Sequence, residues 1–279
     1  MTAFARRGLI ALAAVGTLGT TILAPRSSPA APSAATCSSA PSAALAGLAD
    51  GLSSTWGEGA HPENRRVLRS ALASERILRA CGDDRAAISA ELIAADAYGD
   101  VDPNRPALRC GALHDARARS IASGDAKRAA LIATALAGCG RAVAPRSSTG
   151  SAAPAAASVA SLSTPAGAFA AIADGLSSTV GAGPHPEDAS TLRASLASAA
   201  ALLRAGRLAD AASAELIAAD AYSDVEPNAP AKRCRALADA RRTLRALGKD
   251  ARAALVDRTI ASSPACSRPS RAAESTTSS

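Results

Sequence analysis

Aromatic residues are nearly missing from this chain. They make up 2% of 279 residues: one tryptophan, two tyrosines and two phenylalanines. Methionine occurs once. A core built on stacked rings is therefore excluded. Lysine is confined to Lys127, Lys232 and Lys249. No run of alternating β-branched residues is long enough to make a sheet. There is no G-x-S-x-G elbow, and no serine stands three residues before a lysine, which removes two nucleophile classes. No C-x-x-C pair exists, so the usual thiolate metal sites and redox motifs are absent too. Beyond residue 24 no apolar run is long enough to cross a bilayer.

What the chain does have is alanine, which carries much of its 48% hydrophobic content. Alanine favours helix and buries little area. The expected core is thin, made of closely approaching helices with Leu, Ile and Val as filler, and such a core needs further stabilisation. The first residues read as an export signal over 1–30. Arg6 and Arg7 precede an uncharged apolar run over 8–24, and cleavage candidates end at Ala30 and Ala35. The alternative is an uncleaved anchor of marginal length. Thr36 before Cys37 argues against lipid attachment. The net charge of +7 includes Arg6, Arg7 and Arg26 of the leader region. Residues 44–141 carry 13 basic and 12 acidic residues, and 165–271 carry 14 and 11. Neither half offers the basic face that nucleic acid needs, so no nucleic-acid partner is expected.

The chain repeats itself. Residues 44–136 align with 168–260 at a constant offset of 124, without a gap, and more than half the positions are identical. The expected architecture is all-α: two tandem homologous domains of about five helices each, at 31–141 and 165–266. Residues 142–164, rich in Ala, Ser, Pro and Thr, are expected to be a flexible linker, and 267–279 a disordered tail. In the first copy the expected helices cover about 41–54, 62–80, 84–99, 107–123 and 125–138. Pro62 suits a first helical turn, where its missing N–H costs nothing.

Four junctions share one pattern: helix, glycine, a few polar residues, helix. The glycines are Gly82, Gly124, Gly206 and Gly248, and five residues later stand Ala87, Ala129, Ala211 and Ala253. Glycine can take the left-handed cap that ends a helix, and alanine lets two helices cross closely. The pattern resembles the helical hairpin of tetratricopeptide repeats, which also close near an Asp-Pro-Asn turn, here Asp102-Pro103-Asn104 and Glu226-Pro227-Asn228. That resemblance implies a groove for a peptide or protein. The family's aromatic positions hold Leu or Ala here, and Gly82 lies 42 residues from Gly124, against a period near 34. A generic helical bundle is the other reading.

Exported chains can keep disulfides. Cys110 and Cys234 are equivalent, and Cys139 and Cys266 both close their copies. Cys110 lies 14 residues before Gly124 and Cys139 lies 15 after it, the same level of an antiparallel hairpin. Cys37 and Cys81 are replaced together, by Ser161 and Ala205. The expected bridges are Cys37–Cys81, Cys110–Cys139 and Cys234–Cys266.

Two shared phrases carry candidate chemistry. AELIAADAYGDVDPN places Asp96 and Asp100 four apart at a helix C-terminus, with Asp102 and Asn104 following. Copy two repeats them as Asp220, Asp224, Glu226 and Asn228. Like charges there are locally unfavourable. They would be explained by Ca²⁺, although the EF-hand glycine and final glutamate are missing. The other explanation is pairing with Arg109 and Arg117, or Arg233 and Arg241 in copy two, at a structural joint. Glu91 with Asp96 is a further carboxylate pair. DGLSSTWGEGAHPE returns as DGLSSTVGAGPHPE, bringing His61 and His185 beside acids such as Asp50 and Glu63. A proton-moving or metal-binding histidine is one reading, a cap on the helix opening at Pro62 the other. No cofactor is expected. The expected function is a noncatalytic binding or scaffolding protein of the cell envelope or medium, with a protein or peptide partner and no transmembrane segment in the mature chain. The alternatives are a calcium-binding protein using the DVDPN and DVEPN turns, and a secreted hydrolase using His61 and nearby acids.

Overall fold

Alanine-rich segments punctuated by glycine and proline fold as helices among the described residues. The computed structural model describes residues 31–52, 62–101, 104–139, 159–176, 186–225, 227 and 229–267. Among them there is no strand. The first copy holds α1 (Ala34–Leu52), α2 (Pro62–Ala80), α3 (Asp84–Asp100), α4 (Pro106–Ala122) and α5 (Ala126–Leu136). The second holds α6 (Val159–Leu162), α7 (Pro165–Leu176), α8 (Pro186–Arg204), α9 (Leu208–Asp224), α10 (Pro230–Ala246), α11 (Asp250–Ser262) and α12 (Pro264–Ser267). The bounds of α2, α3 and α4 recur in α8, α9 and α10 at the sequence offset of 124.

Helix α1 begins seven residues before the expected start, at Ala34, with Pro41 inside it. The expected linker contains the short α6, and α12 reaches into the expected tail at Ser267. Gly82, Gly124, Gly206 and Gly248 all have φ between 65° and 75°. At each the glycine amide and the next one donate back to the ending helix, as in Asp83 N to the Leu78 carbonyl at 3.0 Å. Asp83 and Asp125 then cap the following helix, accepting from the amides of Ala86 and Arg128 at 3.0 Å. Arg207 and Lys249 hold those places in copy two and make no cap.

Among the described residues alanine supplies more than half of the buried hydrophobic positions, and the largest fully buried side chains are Phe169 and a set of Leu and Ile. Helix α3 is buried on nearly every side from Ala86 to Ala97, and so is α9 from Asp210 to Ala221. A helix apolar all round belongs at the centre of a fold. Helix α3 packs on α2, α4 and α7, while α9 packs on α8, α10 and α1. The phrase AELIAADA is thus the central rod of each copy. Three disulfides, Cys37–Cys81, Cys110–Cys139 and Cys234–Cys266, clip helix ends together, and no described cysteine is free. Each is worth about 2–4 kcal/mol. No helix among the described residues is long and apolar enough to cross a membrane.

Two tandem homologous domains joined by a flexible linker were expected. The described residues beyond Ala30 belong to one compact unit, and one cluster of buried hydrophobic residues draws on both copies. The contacts are reciprocal: α1 meets α9, and their counterparts under the offset, α7 and α3, meet in the same way, while α1 also packs on α7. Ion pairs repeat the exchange. Arg128 of copy one donates Nε to Asp174 of copy two at 2.8 Å. Arg252 of copy two donates Nε to Asp50 of copy one at 2.7 Å. Position i reaching j while j's copy reaches back to i is the signature of an isologous, two-fold interface. Here both halves lie in one chain.

Candidate functional site

The shared phrase DGLSST has a structural explanation in this arrangement. Asp50 and Asp174 are the acceptors of these two cross-copy ion pairs, Asp50 with Arg252 and Asp174 with Arg128. Gly51 and Gly175 follow them at close backbone crossings. A Cβ on Gly51 would sit 3.1 Å from the Val67 amide nitrogen, and one on Gly175 2.9 Å from that of Thr191. His61 and His185 lie outside the described residues, and His114 is exposed on α4.

The acids of the second phrase close the central helices. Asp96 and Asp100 lie on the last turns of α3, and Asp220 and Asp224 on those of α9. The Arg105 amide returns to the Tyr98 carbonyl at 2.8 Å and the Ala229 amide to that of Tyr222 at 2.9 Å, so the joint has the same form in both copies. Asn64 donates to the Asp100 carbonyl at 3.3 Å. Asn104 is exposed, while Asp102, Glu226 and Asn228 lie outside the described residues. Among the described residues no three His, Cys, Asp or Glu side chains gather where they could hold a metal ion. Arg241 donates to Asp257 of α11 at 3.1 Å and Arg233 to Ser263 at 3.2 Å.

A cleft of about 280 Å³ opens between α2, α3 and α4. Leu72, Ala94, Tyr98, Leu108 and Ala112 give it an apolar surface. Glu75, Arg79, Glu91 and Asp115 supply its charge. Arg79 pairs with Glu75 one helical turn away. Arg119 of α4 reaches behind the cleft to Glu91 and lies 3.6 Å from Glu75. Glu91, weighed from sequence as an acid/base partner of Asp96, is thus held by an arginine. Burial pushes its carboxyl above the usual range, against the pull of Arg119. Asp115 is exposed and makes no hydrogen bond or ion pair among the described residues.

No protein family, curated protein or solved structure matches this chain.

The second copy is chemically different at the matching place. Ala199, Leu203 and Thr243 replace Glu75, Arg79 and Arg119. Glu215, the counterpart of Glu91, loses its arginine, and its Oε2 is buried without a hydrogen-bond partner. Desolvation, with Asp239 beside it, pushes the Glu215 carboxyl up to about 7. Lys232 stands where copy one has Leu108 and lies over Tyr222, 6.0 Å from the ring centre. Arg242 stands where copy one has Ala118 and pairs with Asp239 at 2.5 Å. Sequence reasoning missed this cleft because it followed positions shared by both copies. The signal lay in those that differ: Leu108, Gly111 and Ala118 against Lys232, Arg235 and Arg242.

Proposed function

We propose that the chain is an exported, noncatalytic binding module whose α2–α3–α4 cleft receives a segment of a protein or peptide in the cell envelope. The observation that carries this reading is the cleft itself. It joins apolar side chains to charged ones in a concave surface, and Leu108 in its lining stands 47% exposed, within reach of a partner. Leu108 also lies on a helix whose own packing face, Leu113, Ala116 and Ser120, is already buried. The three disulfides suit an oxidising compartment outside the cytoplasm. Clipped, closely packed helices would hold the cleft open before a partner arrives, which lowers the ordering cost of binding.

The test is site-specific photo-crosslinking in the native envelope. Leu108→p-benzoylphenylalanine is expected to give a discrete protein adduct. The same replacement at Ile121, 56% exposed and not part of the cleft lining, is the control. Equal labelling from both positions, or none from 108, contradicts the proposal.

A further inference from the structure

We infer that the copy-one cleft takes an arginine side chain of its partner. This rests on the cleft being a binding face, as proposed above. Helices α4 and α10 have the same length and register under the offset, so their faces can be compared residue by residue. In copy two the chain supplies its own cations. Lys232 covers Tyr222, and Arg242 satisfies Asp239. In copy one the same aromatic and the same acid remain, as Tyr98 and Asp115, while the cations are gone. Leu108 and Ala118 stand in their places, and Gly111 stands where copy two has Arg235. Tyr98 then lines an open cleft, and Asp115 has no partner among the described residues.

The charge balance agrees. Glu75, Glu91 and Asp115 face Arg79 on the lining, with Arg119 behind, which leaves one negative charge in excess. The space, about 280 Å³, has room for one long side chain and its immediate neighbours, not for a helix. An arginine matches each feature. Its methylene stem can lie along Leu72, Ala94 and Ala112. Its guanidinium can stack on a tyrosine ring and present two parallel N–H donors to a carboxylate. Gly111 forms part of the wall, and a Cβ there meets nothing within 4 Å. Gly111→Arg therefore adds in cis the residue that copy two carries in the same register.

The experiment is a titration of the full mature chain, followed by amide chemical shifts, with n-butylguanidinium as the arginine mimic and pentanoate as the anionic control. Saturable shifts are expected around 108–115, with pentanoate giving none there. Affinity should fall about tenfold or more in Asp115→Asn and in Gly111→Arg, the loss of a charge-assisted pair. Asp115 is exposed, so Asp115→Asn keeps the fold, which the spectrum itself reports. Absence of saturable shifts, equal response to pentanoate, or unchanged affinity in both variants overturns the assignment. If crosslinking at position 108 succeeds while butylguanidinium leaves the spectrum unchanged, the cleft is a binding face and the arginine assignment is wrong. If butylguanidinium binds with the expected variant losses and no adduct forms, the cleft accepts a guanidinium and the envelope protein partner of the proposed function is wrong.

Discussion

Arg128 and Asp174 lie in different copies of the repeat, and the guanidinium of one grips the carboxylate of the other at 2.8 Å. The arginine side chain is 3% exposed, and it also donates to the carbonyls of Arg85 at 3.2 Å and Ala170 at 3.1 Å. It therefore ties α3, α5 and α7 together at the seam between copies. Arg252 repeats the grip on Asp50, and its second donor goes to Ser213 at 3.0 Å.

Arg128→Ala is expected to cost about 3–5 kcal/mol in urea unfolding, because it removes the guanidinium from Asp174 and two carbonyls in a buried place. Arg252→Ala should cost less, since that side chain is 18% exposed against 3% for Arg128. Equal small losses from both would show that the seam carries no weight.

Gly175→Ala should destabilise by about 1–3 kcal/mol, because overpacking forces backbone apart. The added Cβ would lie 2.9 Å from the Thr191 amide nitrogen and 3.0 Å from its Cα, so α7 must move away from α8. Gly51→Ala, at 3.1 Å from the Val67 amide, should show a smaller version of the same effect. Thermal unfolding of the two variants measures the difference.

Glu215 makes stability depend on pH. Its folded-state pKa, about 7, lies above the ordinary glutamate value. The folded state therefore holds that proton more tightly than the unfolded one. Its contribution is most favourable in acid and falls as pH rises from about 4.5 to 7. Glu215→Gln, which keeps the neutral form, should stabilise the chain at pH 8 by roughly 1–2 kcal/mol, a figure reduced for partial exposure to water. At pH 4 it should change little. A gain at pH 4 as large as that at pH 8 would contradict this.

Local rules made much of the fold legible. Left-handed glycines at 82, 124, 206 and 248 ended helices where expected, and Pro62, Pro106 and Pro230 stand at the starts of α2, α4 and α10. Cys110–Cys139 followed from nearly equal distances about Gly124, and Cys234–Cys266 from its equivalence in the second copy. The shared core was not legible, because a linker rich in alanine, serine and proline says nothing about whether its two ends dock. Asp50 drew attention as a neighbour of His61, whereas its partner Arg252 lies 202 residues away. Helix α1 starts earlier than expected, at Ala34, and carries Pro41 inside it. The candidate cleft depended on which positions had changed between copies. Only once α4 and α10 were known to share a register did Leu108, Gly111 and Ala118 become a surface.

The most direct test of the central claim, that two repeats fold as one reciprocal unit, is to cut between them. A specific protease site placed within 142–158 and cleaved to completion, without reductant, should leave the halves together. They are expected to co-elute on size exclusion at the intact mass and to unfold in one thermal transition. Two separately eluting, independently folded halves would contradict the account.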